Sequence, residues 1–284
     1  MNDGFMKKYI NLSFCGEIGS EYTELKCKMK DFSCKEFEFS IEESVECDDV
    51  TIFQTFHVGS FNDELIQLYL VCDVLNKNNV KSISYFAPFL PYTRQDRTYN
   101  ASVSLGSKIV AEIINRSGIS ELTTYDLHAL QIECFFECKV NNLSAIPLFL
   151  ADIKKKFDKN AVIVFPDTGA ASRFKRFFRN DDFEIAIIRK TRMENGDLKM
   201  QILGNVADQN AILLDDMIDS GGTLIEASKI LISHNANKVF AYATHGVFSG
   251  DGFQNLNNSV IKNITTTNSL DRQKEGKFSV IKIC

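Results

Sequence analysis

The sequence lacks the features that mark several common classes of protein. None of its apolar runs is long enough to cross a membrane, and its start lacks the basic, apolar and small-residue order of a signal peptide. Positive charge is not in excess either, because 32 Lys and Arg stand against 37 Asp and Glu, for a net charge of −5. Such a balance gives no electrostatic support to a nucleic-acid partner. The sequence therefore predicts neither a membrane protein nor a nucleic-acid-binding protein.

Closely spaced cysteine pairs are missing as well. The eight cysteines form no C-x-x-C pair, and no further Cys or His near Cys134 and Cys138 completes a metal-binding set. We expect reduced, mostly buried thiols in a cytoplasmic protein. A metal half-site at Cys134 and Cys138 is the alternative that this spacing leaves open.

The hydrophobic residues are numerous enough for a sizeable core. They make up 44% of 284 residues, a length that allows one large or two medium domains. Strand-like and helix-like segments alternate along the first half, and the pattern starts again after the Ile146-Pro147 junction. The sequence therefore predicts an α/β fold in two similar domains, residues 1–143 and 144–284.

One stretch of the second half carries most of the chemical information. Residues 211–214 form an unbroken apolar run, which suits a parallel strand covered by helices on both faces. Leu224, Ala227 and Leu231 then recur at helical spacing. The order is therefore strand, tight loop and helix, and ligands of open α/β sheets bind at the carboxyl ends of the strands.

The connection between this strand and this helix combines carboxylates, hydroxyls and glycines, namely Asp215, Asp216, Asp219, Ser220, Gly221, Gly222 and Thr223. Free N–H groups at a helix start favour an anion, but three acids would repel a bare phosphate. Because carboxylates accept hydrogen bonds from ribose hydroxyls, the loop predicts a ribose-phosphate site, with or without a divalent cation. It is not a P-loop, since the required lysine is missing. The alternative is a charged turn in which Asp219 caps the helix.

Two segments of the first half also end in polar side chains. Pro88 and Pro91 prevent a regular element before Arg94-Gln95-Asp96-Arg97, whose guanidinium groups suit phosphate oxygens. A strand over residues 121–125 leads into Asp126-Leu127-His128, where strand alternation would point the acid and the imidazole the same way, toward Mg²⁺ and a triphosphate. Taken alone, a charged surface loop and a capped helix start are the commoner explanations.

Together these segments resemble one protein family. Asp215-Asp216-Met217-Ile218-Asp219-x-x-Gly222-Thr223 is similar to the phosphoribosyl diphosphate (PRPP) loop of the type I phosphoribosyltransferase fold, in the form found in ribose-phosphate diphosphokinases, the PRPP synthetases. Pro91-Tyr92-x-Arg94-Gln95-Asp96-Arg97 resembles an ATP-binding segment of that family, which ordinary phosphoribosyltransferases lack. Three further segments are similar and occur in family order: Phe32-Ser33-x-x-Glu36, Asp126-Leu127-His128-Ala129-x-Gln131 and Thr244-His245-x-x-x-Ser249-Gly250.

The resemblance implies roles for the matching residues. ATP would be bound by Phe32 and Glu36, on a hairpin that reaches a neighbouring subunit's site, and by Arg94, Gln95, Asp96 and His128. Mg²⁺ and the polyphosphate would be held by His128 and by Asp167 in a loop over residues 166–171, where Ala170 replaces the family's usual second glycine. Ribose 5-phosphate would be bound by Asp215, Asp216, Asp219 and residues 220–223. Lys190 and Arg192 would be catalytic, on a mobile loop over residues 189–197 that closes over ATP.

The resemblance also implies the fold, the reaction and the partners. The fold would be two phosphoribosyltransferase-type domains, each a mainly parallel sheet flanked by helices. The reaction would transfer the diphosphoryl group of ATP to the 1-hydroxyl of ribose 5-phosphate, which gives PRPP and AMP for nucleotide biosynthesis. A homo-oligomer, dimer or larger, is implied too. Two alternatives remain: a phosphoribosyltransferase that consumes PRPP, and a non-catalytic regulatory homologue of the synthetase.

Overall fold

The protein forms two compact units in the computed structural model. The structure describes residues 7–34, 36–157, 160–178, 183–192, 198–271 and 276–283, and the side chains of residues 190–192, 198 and 199 are not described. The first unit ends at Leu143 and takes in Ser269–Asp271, and the second begins at Ser144.

The first unit contains a parallel sheet, a hairpin and two α-helices. Its strands are β1 (Lys7–Leu12), β2 (Tyr22–Glu24), β3 (Cys27–Asp31), β4 (Phe37–Ile41), β5 (Asp49–Gln54), β6 (Ser82–Phe86), β7 (Glu121–Tyr125) and β8 (Lys139–Leu143), and its helices are α1 (Phe61–Lys77) and α2 (Gly106–Arg116). The sheet has the order β2-β1-β5-β6-β7-β8, and all its neighbouring strands are parallel. Strands β3 and β4 pair as an antiparallel hairpin.

Hydrophobic periodicity explains the regular part of this unit. Helix α1 buries Leu65, Leu68 and Cys72, which recur at helical spacing. In β5, Val50 and Ile52 are buried while Thr51 between them is half-buried, as expected for a strand whose two faces differ. The predicted strand over residues 121–125 is confirmed. Strand β8 was not predicted.

The second unit contains a larger sheet. In chain order its elements are α3 (Ile146–Phe157), β9 (Ala161–Phe165), α4 (Thr168–Phe174), β10 (Glu184–Arg192), β11 (Leu198–Leu203), β12 (Asn210–Ile218), α5 (Gly222–Ser233), β13 (Lys238–Gly246), α6 (Gly252–Asn257), β14 (Asn263–Thr267) and β15 (Phe278–Ile281). The sheet order is β11-β10-β9-β12-β13-β14-β15, and only the pairing of β10 with β11 is antiparallel. The expected α/β class with mainly parallel sheets flanked by helices is confirmed.

The centre of this sheet is buried on both faces. Val164 and Leu213 belong to one core cluster, and their neighbours Phe165 and Leu214 belong to another. Two such clusters mean that apolar material covers each face, which is why β9 and the first half of β12 show no polar alternation. The sheet therefore holds the end of β12 rigidly, and the candidate site lies at that end.

The cysteine expectation is only partly met. All cysteines in the described part of the chain are free thiols, but Cys15, Cys34, Cys47 and Cys134 are exposed, and Cys72 alone among these free thiols is buried. The expectation of mostly buried thiols is therefore wrong, because Cys15, Cys34 and Cys47 lie in turns and connections and Cys134 lies in a short 3₁₀ helix, none of them in a core strand. None of the helices in the described residues is long and apolar enough to cross a bilayer.

Candidate active site

The loop after β12 is shorter than the sequence suggested. Strand β12 continues through Asp215 and Asp216 to Ile218, so only Asp219, Ser220 and Gly221 separate it from α5. Gly221 is the N-cap residue and has a φ of 80°, a left-handed conformation that glycine adopts without strain. Asp219 is therefore not the cap. Ser220, Gly222 and Thr223 are exposed, which leaves the start of α5 open to an anion.

Helix α6, which the sequence did not predict, packs against this loop. A Cβ added to Gly252 would lie 2.6 Å from the backbone oxygen of Asp219, and one added to Gly221 would lie 2.5 Å from Leu256 Cγ. Ser249, just before α6, donates a hydrogen bond to the carboxylate of Asp219. Close packing and this hydrogen bond fix the backbone of the loop before any ligand binds.

Arg173 on α4 holds the two acids at the end of β12. Its Nη2 lies 2.6 Å from Asp216 Oδ1 and 3.1 Å from Asp215 Oδ1. The side chain of Asp216 is only 2% exposed and that of Asp215 14%. Burial and the neighbouring Asp216 raise the pKa of Asp215 well above its usual range, and the Arg173 guanidinium partly opposes that rise. The site therefore concentrates two carboxylates and one guanidinium where water is largely excluded.

Asp167 lies at the N-terminus of α4. Its Oδ1 accepts a hydrogen bond from the backbone N–H of Ala170 at 2.8 Å, so Asp167 is the N-cap residue of the helix. The helix begins at Thr168, so the predicted loop over residues 166–171 is wrong, because its last four residues are helical. Asp167 also lies close enough to contribute to the raised pKa of Asp215. Asp167, Arg173, Asp215 and Asp216 thus form one group.

The backbone of Lys190 and Arg192 belongs to a strand. Strand β10 pairs with β11 as far as Arg192, with Lys190 opposite Met200 and Arg192 opposite Leu198. The predicted loop over residues 189–197 therefore begins too early, because β11 extends the ladder to residue 192. Residues 193–197 lie outside the described residues, and so do the side chains of Lys190 and Arg192.

Two predicted segments meet in the first unit. Gln131 Nε2 donates a hydrogen bond of 2.8 Å to Asp96 Oδ2, and Asp96 is buried. Arg94 and Gln95 are exposed, and His128 is half-buried. Strand β7 ends at Tyr125 and Asp126 has a φ of 37°, so strand alternation does not extend to Asp126 and His128. The reason for expecting those two side chains to point the same way is therefore wrong.

The hairpin residues Phe32 and Glu36 line a separate cleft. The N–H of Phe32 donates to the backbone oxygen of Glu36 at 2.8 Å, which closes the turn of the hairpin. The cleft has a volume of about 460 Å³, and Asp63 and Gln67 of α1 form its opposite wall. Lys30 Nζ lies 4.3 Å from the centre of the Phe32 ring. Phe32 is half-buried and Glu36 exposed, so both are accessible to a ligand from outside.

Comparison with known proteins identifies the family. Two family models match: the N-terminal domain of ribose phosphate pyrophosphokinase over residues 7–118, and the phosphoribosyl synthetase-associated domain over residues 191–283. The ribose-phosphate pyrophosphokinase of Bradyrhizobium diazoefficiens is 36% identical over 247 residues, which is 86% of this chain and 78% of the relative. The chain belongs to the ribose-phosphate pyrophosphokinase family. The Haemophilus influenzae relative of the same name is 39% identical over 87% of this chain and 79% of its own.

A solved structure of the same family has the same fold. The phosphoribosylpyrophosphate synthetase of Mycobacterium smegmatis superposes with a TM-score of 0.85 at 29% identity, over 93% of this chain and 88% of that one. Similarity over this share of the chain reaches both units. The supporting residues Arg173, Gly252 and Leu256 were not predicted, because no local pattern marks a side chain that acts from another element.

Proposed function

We propose that this member of the ribose-phosphate pyrophosphokinase family converts ATP and ribose 5-phosphate into AMP and PRPP. The observation that carries the proposal is the acid pair of half-buried Asp215 and buried Asp216 beside the open, glycine-capped start of α5. That combination suits a ligand with hydroxyls at one end and a phosphate at the other. Two units with related α/β architecture fit two phosphoribosyltransferase-type domains, residues 1–143 and 144–284.

Ribose 5-phosphate would be held by the residues around the end of β12. The phosphate would accept hydrogen bonds from the backbone N–H groups at the start of α5 and from Ser220 and Thr223. The ribose hydroxyls would donate to Asp215 and Asp216. Asp219, which already accepts from Ser249, would keep the loop in the conformation that receives the phosphate.

ATP would be bound by residues of the first unit. Phe32, a ring for adenine, and Glu36, an acceptor beside it, line an open cleft and would serve the ATP site of a neighbouring subunit. Arg94 and Gln95 are exposed and suit the triphosphate, with His128 as a further contact. Asp96 is buried and accepts a hydrogen bond from Gln131, so it would hold the segment that bears Arg94 and Gln95 in place.

The chemistry is a transfer of the diphosphoryl group. The 1-hydroxyl oxygen of ribose 5-phosphate loses its proton to solvent and forms a bond to the β-phosphorus of ATP, as the bond from that phosphorus to the α-phosphate oxygen breaks and AMP leaves. In such transfers a protein contributes mainly positioning and charge stabilisation. Lys190 and Arg192 would stabilise the charge that develops on the transferred group.

Magnesium would accompany the polyphosphate. Among the described residues no group of three or more His, Cys, Asp or Glu could hold a metal ion alone. Mg²⁺ bound to substrate phosphates needs only one or two carboxylates, and the half-buried carboxylate of Asp167 fits that requirement. His128 remains a second candidate, through phosphate or metal. The ion would neutralise negative charge on the phosphates.

An assay of AMP formation tests the proposal. Purified protein, ATP, Mg²⁺ and ribose 5-phosphate should give AMP and PRPP in equal amounts, and no AMP when ribose 5-phosphate is left out. A phosphoribosyltransferase would instead consume PRPP in the presence of an acceptor base. A non-catalytic regulatory homologue would bind the substrates without turnover. A cytoplasmic location and a homo-oligomeric state remain predictions, and light scattering of the purified protein tests the second.

A further inference from the structure

Arg173 connects two parts of the candidate site that lie far apart in the sequence. It belongs to α4, whose N-cap is Asp167, and its guanidinium contacts the acids at the end of β12. A Cβ added to Gly169 would lie 3.1 Å from Asp167 Oδ1 and 3.5 Å from Arg173 Nη1. The guanidinium therefore lies near the N-cap residue Asp167 as well as next to the acid pair.

The contacts of Arg173 fix the orientation of both carboxylates. Neighbouring residues of a strand point to opposite faces, yet a single nitrogen, Nη2, lies within hydrogen-bond distance of one oxygen of Asp215 and one of Asp216. The backbone N–H of Asp216 also donates to Asp215 Oδ1, at 2.9 Å. Asp215 Oδ1 is thus held by two donors, so the direction of its second oxygen is set.

The charges point to the same role. Asp215 and Asp216 bring two carboxyl groups to a place where their side chains are 14% and 2% exposed, and the Arg173 side chain is 15% exposed. A buried charge without a partner is costly, so the guanidinium is what permits two carboxylates to stand side by side here. Without it, the acids would turn away from each other or take up a proton, and either change would remove an acceptor from the site.

We propose that Arg173 is a positioning residue that sets the preference of the site for ribose over 2-deoxyribose. The inference rests on the proposed function, because it takes the hydroxyls of ribose 5-phosphate as the donors to Asp215 and Asp216. The guanidinium of Arg173 contacts both acids, so its effect on the sugar would be exerted through them. Its removal should therefore weaken the recognition of hydroxyls and leave the recognition of the 5-phosphate in place.

A comparison of two sugars tests this role by calorimetry. Ribose 5-phosphate and 2-deoxyribose 5-phosphate differ in one hydroxyl, so the ratio of their dissociation constants isolates what that hydroxyl contributes. Arg173→Gln should weaken binding of ribose 5-phosphate by roughly tenfold or more, since the hydrogen bonds concerned involve charged groups. Binding of the 2-deoxy sugar should change much less, so the ratio should fall toward one. Arg173→Lys, which keeps the charge but not the fork, should give an intermediate ratio.

Arg176→Gln is the matched control. Arg176 follows on the same helical segment, has the same charge and is exposed. Its loss should leave the ratio unchanged.

Equal weakening of both sugars by Arg173→Gln would overturn the proposal, because a general structural role predicts that result. So would a wild-type protein that binds the two sugars equally. If Arg173→Gln does not fold, Arg173→Lys carries the same comparison, and an unchanged ratio there counts against the proposal. The AMP assay is a separate measurement: protein that shows the expected ratio but forms no AMP disproves the proposed reaction and leaves the role of Arg173 standing.

Discussion

The side-chain amide of Gln131 donates a hydrogen bond of 2.8 Å to Asp96 Oδ2 and so joins two segments that are distant in the sequence. Asp96 is 7% exposed, and Gln131 lies in a short 3₁₀ helix after β7. A buried carboxylate keeps its position only while donors satisfy it. The hydrogen bond therefore holds the Arg94-Gln95-Asp96 segment against the rest of the first unit.

We expect Gln131→Ala to weaken ATP binding and leave ribose 5-phosphate binding unchanged. Loss of one donor to a buried carboxylate typically costs about 1–3 kcal/mol, which loosens the segment that bears Arg94. The KM for each substrate reports the effect. Gln209→Ala is the control, because Gln209 donates to Glu184 at 2.7 Å in an exposed pair. A rise in the KM for ribose 5-phosphate equal to that for ATP would contradict the assignment.

Ser249→Ala should weaken the binding of ribose 5-phosphate. Ser249 donates to Asp219, in the loop proposed to bind the phosphate of ribose 5-phosphate. Removal of that donor should raise the dissociation constant of ribose 5-phosphate roughly tenfold, the equivalent of about 1.4 kcal/mol for one hydrogen bond near a charge. Calorimetry measures it directly. Ser233→Ala, which removes a hydroxyl at the exposed end of α5, should leave this constant unaltered.

Gly252→Ala should displace the loop of Asp219 and Ser220, because the added methyl group would overlap with the backbone of the loop. The added methyl group would lie 2.6 Å from Asp219 O and 3.1 Å from Ser220 Cα, both backbone atoms that cannot rotate away. Overpacking of this kind costs about 1–3 kcal/mol, so the melting temperature should fall. Gly222→Ala is the control for stability, because a Cβ added there would lie 3.9 Å from Ser220 Oγ, an ordinary van der Waals contact. Equal melting temperatures for Gly252→Ala and Gly222→Ala would show that α6 does not clamp the loop.

The raised pKa of Asp215 predicts how stability depends on pH. The folded protein holds a proton on Asp215 at pH values where the unfolded chain, with a pKa near 3.8, has lost it. The contribution of Asp215 to the free energy of unfolding must therefore decrease as pH rises from about 3.8 through the raised folded pKa. Asp215→Asn removes this contribution, so the stability of the variant relative to the wild type should rise over that window.

Asp49 supplies a control of opposite sign. Hydrogen bonds from Ser82 and Lys81 lower its pKa below 3.8, so its contribution to stability is present above that pH and is lost as pH falls through its folded pKa. Asp49→Asn should therefore lose stability relative to the wild type as pH rises toward 3.8 from below. Denaturant unfolding at several pH values measures both differences. A flat difference for Asp215→Asn would show that Asp215 titrates as in the unfolded chain.

The sequence predicted those features that depend on local patterns. The apolar run before Asp215 gave the buried strand, and the helical spacing of Leu224, Ala227 and Leu231 gave α5, since both patterns are set by residues close together in the chain. The end of the strand was misplaced by four residues because Asp215 and Asp216 are stabilised there by Arg173 on another element. In the sequence, a polar residue after an apolar run indicates the end of a buried strand. That indication is wrong where a partner from another part of the chain stabilises the polar residue within the strand.

The supporting residues were hidden for the same reason. Gly252 is required by the backbone of Asp219, and nothing near Gly252 in the chain shows that contact. Helix α6 itself has six residues, too few for a periodic apolar pattern to stand out. Motifs identified the residues proposed to touch substrate, but not the residues that hold them.

Lys190→Ala should lower kcat severely while both substrates still bind. The prediction rests on the Lys190-x-Arg192 pattern, which lies at the end of β10, immediately before residues 193–197. A cation that meets the phosphates mainly during the reaction stabilises the transition state more than the bound substrates. Loss of one such group typically costs a factor of roughly 10²–10³, or about 3–4 kcal/mol. Steady-state and binding measurements on the same variant separate kcat from affinity.

Arg192→Ala should lower kcat by a similar factor. In the double variant, kcat should fall by less than the product of the two single factors, because both cations act on one developing charge. Arg189→Ala is the matched control. Alternate positions of a strand share a face, so position 189 lies on the face opposite to 190 and 192. Loss of the Arg189 side chain should change the activation free energy that corresponds to kcat by less than about 0.5 kcal/mol, the usual range for a surface substitution. If Lys190→Ala and Arg189→Ala both stay within a few-fold of the wild type, then the charge of the transferred diphosphoryl group is stabilised elsewhere, and the assignment of Lys190 and Arg192 as catalytic is wrong.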